Sequence, residues 1–493
     1  MLIWFVILYV MVSISIGLFA ATRVKTTKDY AVAGRHLPLP VVMATVFATW
    51  FGAEAVFGVS ATFVKDGLNG IVADPFGSSM CLVIAGFFFA TKLYKLNIIT
   101  LGDFYRMRYN RTVEVLTTIA IVISYLGWVA AQIKALGLIF HIITDGAVSE
   151  EAGMILGTAI VLTYTTLGGM LSVAILDFVQ MSVIIGGMLY IAYMVSGMTG
   201  GVAPVIEHAR LAGKLDFLPP ADPWLWVTFI GAWMTMMLGS IPQQDVFQRI
   251  TSAKSAKVAI WGSILGASIY FCFTFVPMFI AYSATLIDPG FFNTLIDQDS
   301  QRVLPTLVLQ HMPIAAQVIF FGAVLSAIMS CSSATLLAPS ISFAENIVRG
   351  YLPHLDDRGF LKIMRICLLG FASCVLVYAL NTNLSIFRMV ESAYKITLAG
   401  AFVPLFFGVF WKRATNQGAL AAIIGGISTW VLVEVLVGEE SLIPPQLLGL
   451  GVSIIGMVAG SLLPQKIAPQ RRHEQASYLH SHAAHPHVPH KGS

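Results

Sequence analysis

The sequence predicts an all-α polytopic membrane protein of about 13 transmembrane helices. Three observations predict it. Of its 493 residues, 57% are hydrophobic and 11% are charged, where a soluble domain carries about 25% charged residues. Mean hydropathy is +0.81. Apolar runs of about 20 residues, enough to cross a hydrocarbon core about 30 Å thick, recur along the whole length. This composition excludes a large soluble domain, and the bilayer is the implied surroundings. No basic patch is interleaved with aromatics as nucleic-acid binding would need. Cys81, Cys272, Cys331, Cys367 and Cys374 sit in apolar stretches without CxxC spacing, which speaks against a disulfide framework or a zinc site. No nucleophile–base pair appears, so no enzyme is expected.

The spans fall at about 1–21, 40–64, 70–93, 113–143, 152–172, 175–198, 223–241, 257–285, 307–338, 363–382, 388–410, 416–437 and 442–463. The first has no cationic leader or small-residue cleavage site and reads as a retained helix. Loops on one side carry Arg23, Lys25, Lys28, Arg35, then Lys92, Lys95, Arg106, Arg108, Arg111, then Arg249, Lys254, Lys257. The same side continues with Arg349, Arg358, Lys362, Arg365, Lys412, Arg413 and Lys466. The opposite loops carry mostly acids: Asp145, Glu150, Glu151, Asp288, Asp297, Asp299, Glu439 and Glu440. By the positive-inside rule the basic side is cytoplasmic, with the N-terminus outside and the C-terminus inside a bacterial inner (plasma) membrane. The transporter domain is expected over 1–464. The polar stretch 465–493, with His480, His482, His485, His487 and His490, reads as a disordered cytosolic tail with incidental metal affinity.

Two spans are interrupted. The second, VVMATVFATWFGAEAVFGVS, has Trp50, Gly52 and Glu54 in its middle. The seventh, WMTMMLGSIPQQDVFQR, has Gly239, Ser240 and Pro242 before a polar run. Proline removes a backbone donor and breaks a helix. Broken helices at matching places in two halves point to a transporter with inverted repeats, here about 40–198 and 223–410. The ninth span carries Ser326, Ser330, Cys331, Ser332, Ser333 and Thr335. Polar groups this dense at membrane depth must find partners there, and either an ion site or helix–helix bonding answers that need.

These stretches resemble the sodium/solute symporter family. YTTLGGMLSVAILDFVQ (164–180) looks like its signature, SAIMSCSSA (326–334) like its ion-site helix, and ATWFGAEAVFG (48–58) like its first broken helix. The resemblance runs over roughly 5–435. It implies a LeuT-type core of two inverted five-helix repeats, with solute and sodium near the midplane. WVAAQIKALG (128–137) and MLGSIPQQDVFQR (237–249) add a likeness to high-affinity choline transporters. Trp50 and Trp128 match cage positions there; Gln243 replaces a third tryptophan and Ser333 an acid.

The resemblance implies sodium (Na+) as coupling ion, held by the carbonyls of Ala48, Phe51 and Ala327 and the Ser330 hydroxyl. The fifth position is Cys331, a soft ligand for a hard ion, with Ser332 or Ser333 as substitutes. A second ion site, used by some relatives, would draw on Asp177 and Ser333. Asp177 could equally be solvated or cap its helix near the cytoplasmic end, and a single sodium is the default. The solute pocket would be lined by Trp50, Glu54, Asp74, Trp128, Gln132, Gln243, Gln244 and Asp245, with Lys134 as an alternative partner for Glu54. Glu391 and Lys395 are spaced for an intrahelical pair.

The expected function is a sodium-coupled secondary active transporter importing a small polar organic solute by alternating access. An organic cation, amino acid or other amine leads, ahead of a carboxylate or sugar. The rivals are a proton-coupled or uncoupled transporter or channel, and a membrane sensor, for which the tail is too short. Oligomeric state is left open.

Overall fold

The computed structural model describes residues 2–467 apart from 353, 439 and 440. The histidine-bearing tail and the acids Glu439 and Glu440 lie outside the described residues. Among the described residues the regular structure is helical, with one isolated bridge between Leu37 and Ala253. Among the described residues ten helices are long and apolar enough to cross a membrane, and two bent pairs raise the count to as many as 12. Within each unbroken helix the backbone bonding is internal to the span, as hydrocarbon requires.

The expected count of about thirteen differs at one element. The sequence separated 152–172 from 175–198, whereas Glu150–Met198 is assigned as one run of 49 residues. At 1.5 Å per residue a straight helix of that length would reach about 74 Å, more than twice the hydrocarbon thickness. The run is interrupted at Gly169 (φ 51°, ψ −147°), in the Gly-Gly pair rather than after it. A Cβ at Gly169 would lie 2.5 Å from Tyr30, so the positive φ and the close approach both demand glycine.

The two interrupted spans bend where expected. Leu39–Trp50 and Glu54–Asp66 meet at 55°. Phe51 leaves the helical region (φ −88°, ψ 74°), and Gly52 permits a contact no larger residue would. A Cβ there would sit 2.7 Å from Cys331 and from Gln132 Oε1. Pro223–Gly239 and Gln244–Ser252 meet at 45°. Pro242 has no N–H to continue the ladder, and Gln243 is extended (φ −82°, ψ 140°).

The serine-bearing helix Ile314–Asn346 runs through the centre, packed on Glu150–Met198, Arg111–Ile143 and Leu39–Trp50. Every residue from 323 to 342 is buried. Most of its hydroxyls bond back to their own helix: Ser332 Oγ to Ile328 O (2.6 Å), Ser333 Oγ to Ser330 O (2.9 Å) and Thr335 Oγ1 to Cys331 O (2.7 Å). Polar side chains are thereby satisfied at depth without a ligand.

Loops of the basic set bond to one another: Arg35 to Asn97 (2.6 Å), Arg108 to the Gly408 carbonyl (3.0 Å) and the Thr27 N–H to Asp357 (3.0 Å). Loops of the opposite set do likewise, with Arg302 on Glu150 (2.6 Å) and Lys214 on the Lys65 carbonyl (2.6 Å).

Candidate functional site

Two clusters of functional groups flank the break after Trp50. The first is built of oxygens. Asp177 lies inside the Glu150–Met198 element, fully buried. One carboxylate oxygen accepts from Ser330 Oγ at 2.5 Å and the other from Thr45 Oγ1. Ser330 Oγ also lies 3.2 Å from the Ala48 carbonyl, one turn before the break. Thr49 Oγ1 donates to the Thr45 carbonyl at 2.6 Å and accepts from Arg249 Nη2 at 2.7 Å. A carboxylate, two hydroxyls and a carbonyl from three helices thus converge, and all are hard donors suited to a hard cation. Among the described residues no group of three or more His, Cys, Asp and Glu could hold a metal ion.

The second cluster is aromatic. Trp50 lies 5.4 Å from Trp128 and stacks on Tyr394 at 6.2 Å. Trp128 lies 5.7 Å from Tyr394 and stacks on Tyr125 at 5.9 Å. All four side chains are buried. Glu54 sits against this group: its carboxylate accepts from Trp128 Nε1 (2.8 Å) and Gln132 Nε2 (2.5 Å). Gln132 Oε1 accepts the Ala53 N–H at 2.8 Å, which fixes the amide's orientation and covers a donor freed by the break. Gln243 is bonded to Ser124 (2.9 Å) and Thr397 (3.4 Å). Glu54 is therefore a buried carboxylate held by neutral donors beside π faces.

Several expected roles change. Asp177 is neither solvated nor a cap; it accepts from Ser330, so a residue expected in the second ion site meets one expected in the first. Cys331 does not face that group. Its thiol points at Glu54 Oε1 (3.9 Å) and the Gly52 break, because one residue along a helix turns the side chain by about 100°. Ser333 bonds its own helix instead of Asp177. Phe51 and Ala327 are buried, one at the break and the other a turn before Ser330. Gln244 leaves the pocket: its Oε1 accepts the Leu101 N–H (2.8 Å) and its Nε2 donates to the Ile99 carbonyl (3.3 Å). Lys134 does not meet Glu54; it donates to the Thr382 carbonyl at 2.8 Å. Asp74 accepts from Ser78 and Tyr270, both at 2.5 Å. Asp245 accepts from Tyr125, which places it behind Trp128. Lys395 pairs with Glu434 at 3.4 Å rather than with Glu391.

Sequence reasoning missed Thr45, Thr49, Tyr125, Tyr394 and the buried Arg249, which it counted among loop charges. A signal existed for the threonines: positions 45, 48 and 49 share one face of a helix that ends at a break.

The profile of the Sodium:solute symporter family matches residues 30–426. The human high affinity choline transporter 1 is 27% identical over 447 residues, covering 86% of this chain and 75% of the relative. A sodium/glucose cotransporter of Vibrio parahaemolyticus is 24% identical, covering 85% and 82%. An osmoregulated proline transporter of Bacillus subtilis is 24% identical, covering 87% and 88%. Among solved structures, a Na+-coupled sialic acid symporter in a substrate-bound outward-open state superposes with a TM-score of 0.80 at 19% identity, covering 95% of this chain and 98% of that one.

Proposed function

We propose, on the premise that this chain belongs to the sodium:solute symporter family, that the solute it carries with sodium is an organic cation or zwitterion bearing an ammonium group. The relatives are transporters and so is this chain: an integral membrane symporter of LeuT-type fold, with sodium as coupling ion and no enzymatic step. The observation that carries the solute class is Glu54. Among the described residues its carboxylate meets only neutral donors, Trp128, Gln132 and the Cys331 thiol, and lies beside Trp50, Trp128 and Tyr394. A buried carboxylate calls for a cation, and tryptophan faces attract one. The choline transporters among the relatives favour the same class.

Sodium is assigned to the oxygens of Asp177, Ser330, Thr45 and Ala48, where it would tie the helix end at Ala48 to the serine helix. Binding there shifts the population toward a state whose aromatic site accepts solute. Each ligand then raises the other's affinity by the same factor. The repeats are placed at about 40–198 and 223–410, and the end bearing Arg35 and Arg108 in the cytoplasm of a bacterial inner membrane.

The test is uptake into liposomes under an inward sodium gradient, with labelled choline, glycine betaine, proline and glucose. Uptake of choline or betaine driven by sodium, and not by potassium or a proton gradient, is the expected result. Uptake confined to glucose would overturn the solute class, and gradient-independent uptake the coupling.

Because Cys331 faces Glu54, Cys331→Ser is expected to leave the sodium concentration for half-maximal thermal stabilisation within about twofold. Ser330→Ala is expected to raise it about tenfold, since a hydrogen bond to a charged group contributes roughly 1.5–3 kcal/mol. A loss with Cys331→Ser equal to that with Ser330→Ala would return the thiol to the ion site.

A further inference from the structure

Arg249 is a buried guanidinium with no carboxylate bonded to it among the described residues. It is 2% exposed. Its Nη2 donates to Thr49 Oγ1 at 2.7 Å, and its Nη1 to the Asp245 backbone carbonyl at 3.2 Å and Gln248 Oε1 at 3.5 Å. Its Nε has no hydrogen-bond partner, and neither has Asp245 Oδ2 on the same helix. Two buried groups of opposite charge are each one bond short at i,i+4 spacing, where helix side chains meet. An unpaired buried polar group costs roughly 1–3 kcal/mol. A second arrangement, with Arg249 Nε on Asp245 Oδ2, would relieve both.

The two arrangements end in different sites. In the one observed, Arg249 holds Thr49, which bonds the Thr45 carbonyl, and Thr45 bonds Asp177. The alternative engages Asp245, which accepts from Tyr125, and Tyr125 stacks on Trp128 at 5.9 Å. We infer that Arg249 is the positioning residue that couples the two sites. In the arrangement observed its charge reaches the Asp177 cluster through Thr49 and Thr45. Sodium at Asp177 repels it toward Asp245, where it neutralises that carboxylate and fixes Tyr125 against Trp128. This is a two-state element biased from both ends, which is what energetic coupling between sites requires. The inference rests on the assignment of sodium to Asp177.

The test uses the full chain in detergent, melted across sodium chloride concentrations with potassium chloride holding ionic strength constant, and no solute present. Removing a resident positive charge tightens a cation site, so Arg249→Gln is expected to lower the half-saturating sodium concentration about 3- to 10-fold. Arg249→Lys keeps the charge and is expected to stay within about twofold of wild type. Thr49→Val, which removes the acceptor holding the guanidinium, is expected to shift sodium affinity in the same direction as Arg249→Gln, and it serves where that variant does not fold. Choline binding supplies the second readout: the ratio of its affinity in sodium to that in potassium is expected to collapse toward one in Arg249→Gln. Sodium affinity unchanged in both Arg249→Gln and Thr49→Val would overturn the inference alone, as would equal weakening in Arg249→Gln and Arg249→Lys. A wild-type protein with no sodium-dependent shift would overturn the sodium site and the inference together.

Discussion

Asp177→Asn removes the sodium-dependent rise in melting temperature and leaves solute uptake without response to a sodium gradient. The reason is charge. Asp177 is the one carboxylate among the oxygens that meet at Ala48, and its two oxygens take Ser330 and Thr45. Asparagine keeps an acceptor for one of those hydroxyls but cannot offset a cation taken out of water. Removing one partner of a buried charge pair costs roughly 3–5 kcal/mol, and each 1.4 kcal/mol is about tenfold in affinity. Sodium affinity should therefore fall at least about 100-fold. The variant also leaves Arg249 with one fewer acid in its surroundings, so its melting temperature in potassium should drop as well. The quantity to read is each protein's shift on replacing potassium by sodium, against its own baseline. A shift of wild-type size in Asp177→Asn would remove Asp177 from the ion site.

The parts legible in the sequence were those with a local signature. The breaks at Gly52 and Pro242 follow from residues that interrupt a helix wherever it lies, and the bends of 55° and 45° stand at those residues. Ser330 and Ala48 were named through resemblance, and they do meet. What sequence could not supply was rotation and distance across the fold. Cys331 and Ser330 are neighbours in the chain, yet one turns toward Glu54 and the other toward Asp177. Asp177 reaches Ser330 across a sequence separation of 153, and nothing local distinguishes it from an acid near a helix end. Tyr125 and Tyr394 look like ordinary apolar-face residues until the fold stacks them against the tryptophans. Gln244 shares its dipeptide with Gln243 but faces the loop at Ile99, since Gln243 is extended at the break and Gln244 opens the helix after it. Arg249 was misplaced because a cation beyond an apolar run reads as a loop charge. The second half of the broken span carries it back inside.

Glu54→Gln separates the charge of the solute site from its shape. The isosteric amide can still accept from Trp128 Nε1, so the aromatic arrangement has a reason to persist. Its NH2 faces Gln132 Nε2, however, and Gln132 cannot turn over without releasing the Ala53 N–H that its Oε1 holds at 2.8 Å. Some loss of fit, about 1–3 kcal/mol for a mispaired buried donor, is therefore built into the variant and would weaken any occupant. The comparison that isolates charge is between choline and 3,3-dimethylbutan-1-ol, its uncharged isostere, binding in sodium. If Glu54 is the counter-ion, choline loses affinity at least about 30-fold more than the neutral analogue, because about 2 kcal/mol or more of charge attraction disappears from a desolvated site. Glu54→Asp, which keeps the charge on a shorter arm, should bind choline better than Glu54→Gln does. Sodium affinity measured without solute should stay within a few-fold of wild type, since Glu54 bonds none of the oxygens around Asp177. Equal losses for choline and its isostere would make Glu54 a wall of the pocket and not its counter-ion. The solute would then be sought among neutral molecules that the tryptophan faces can also stack against.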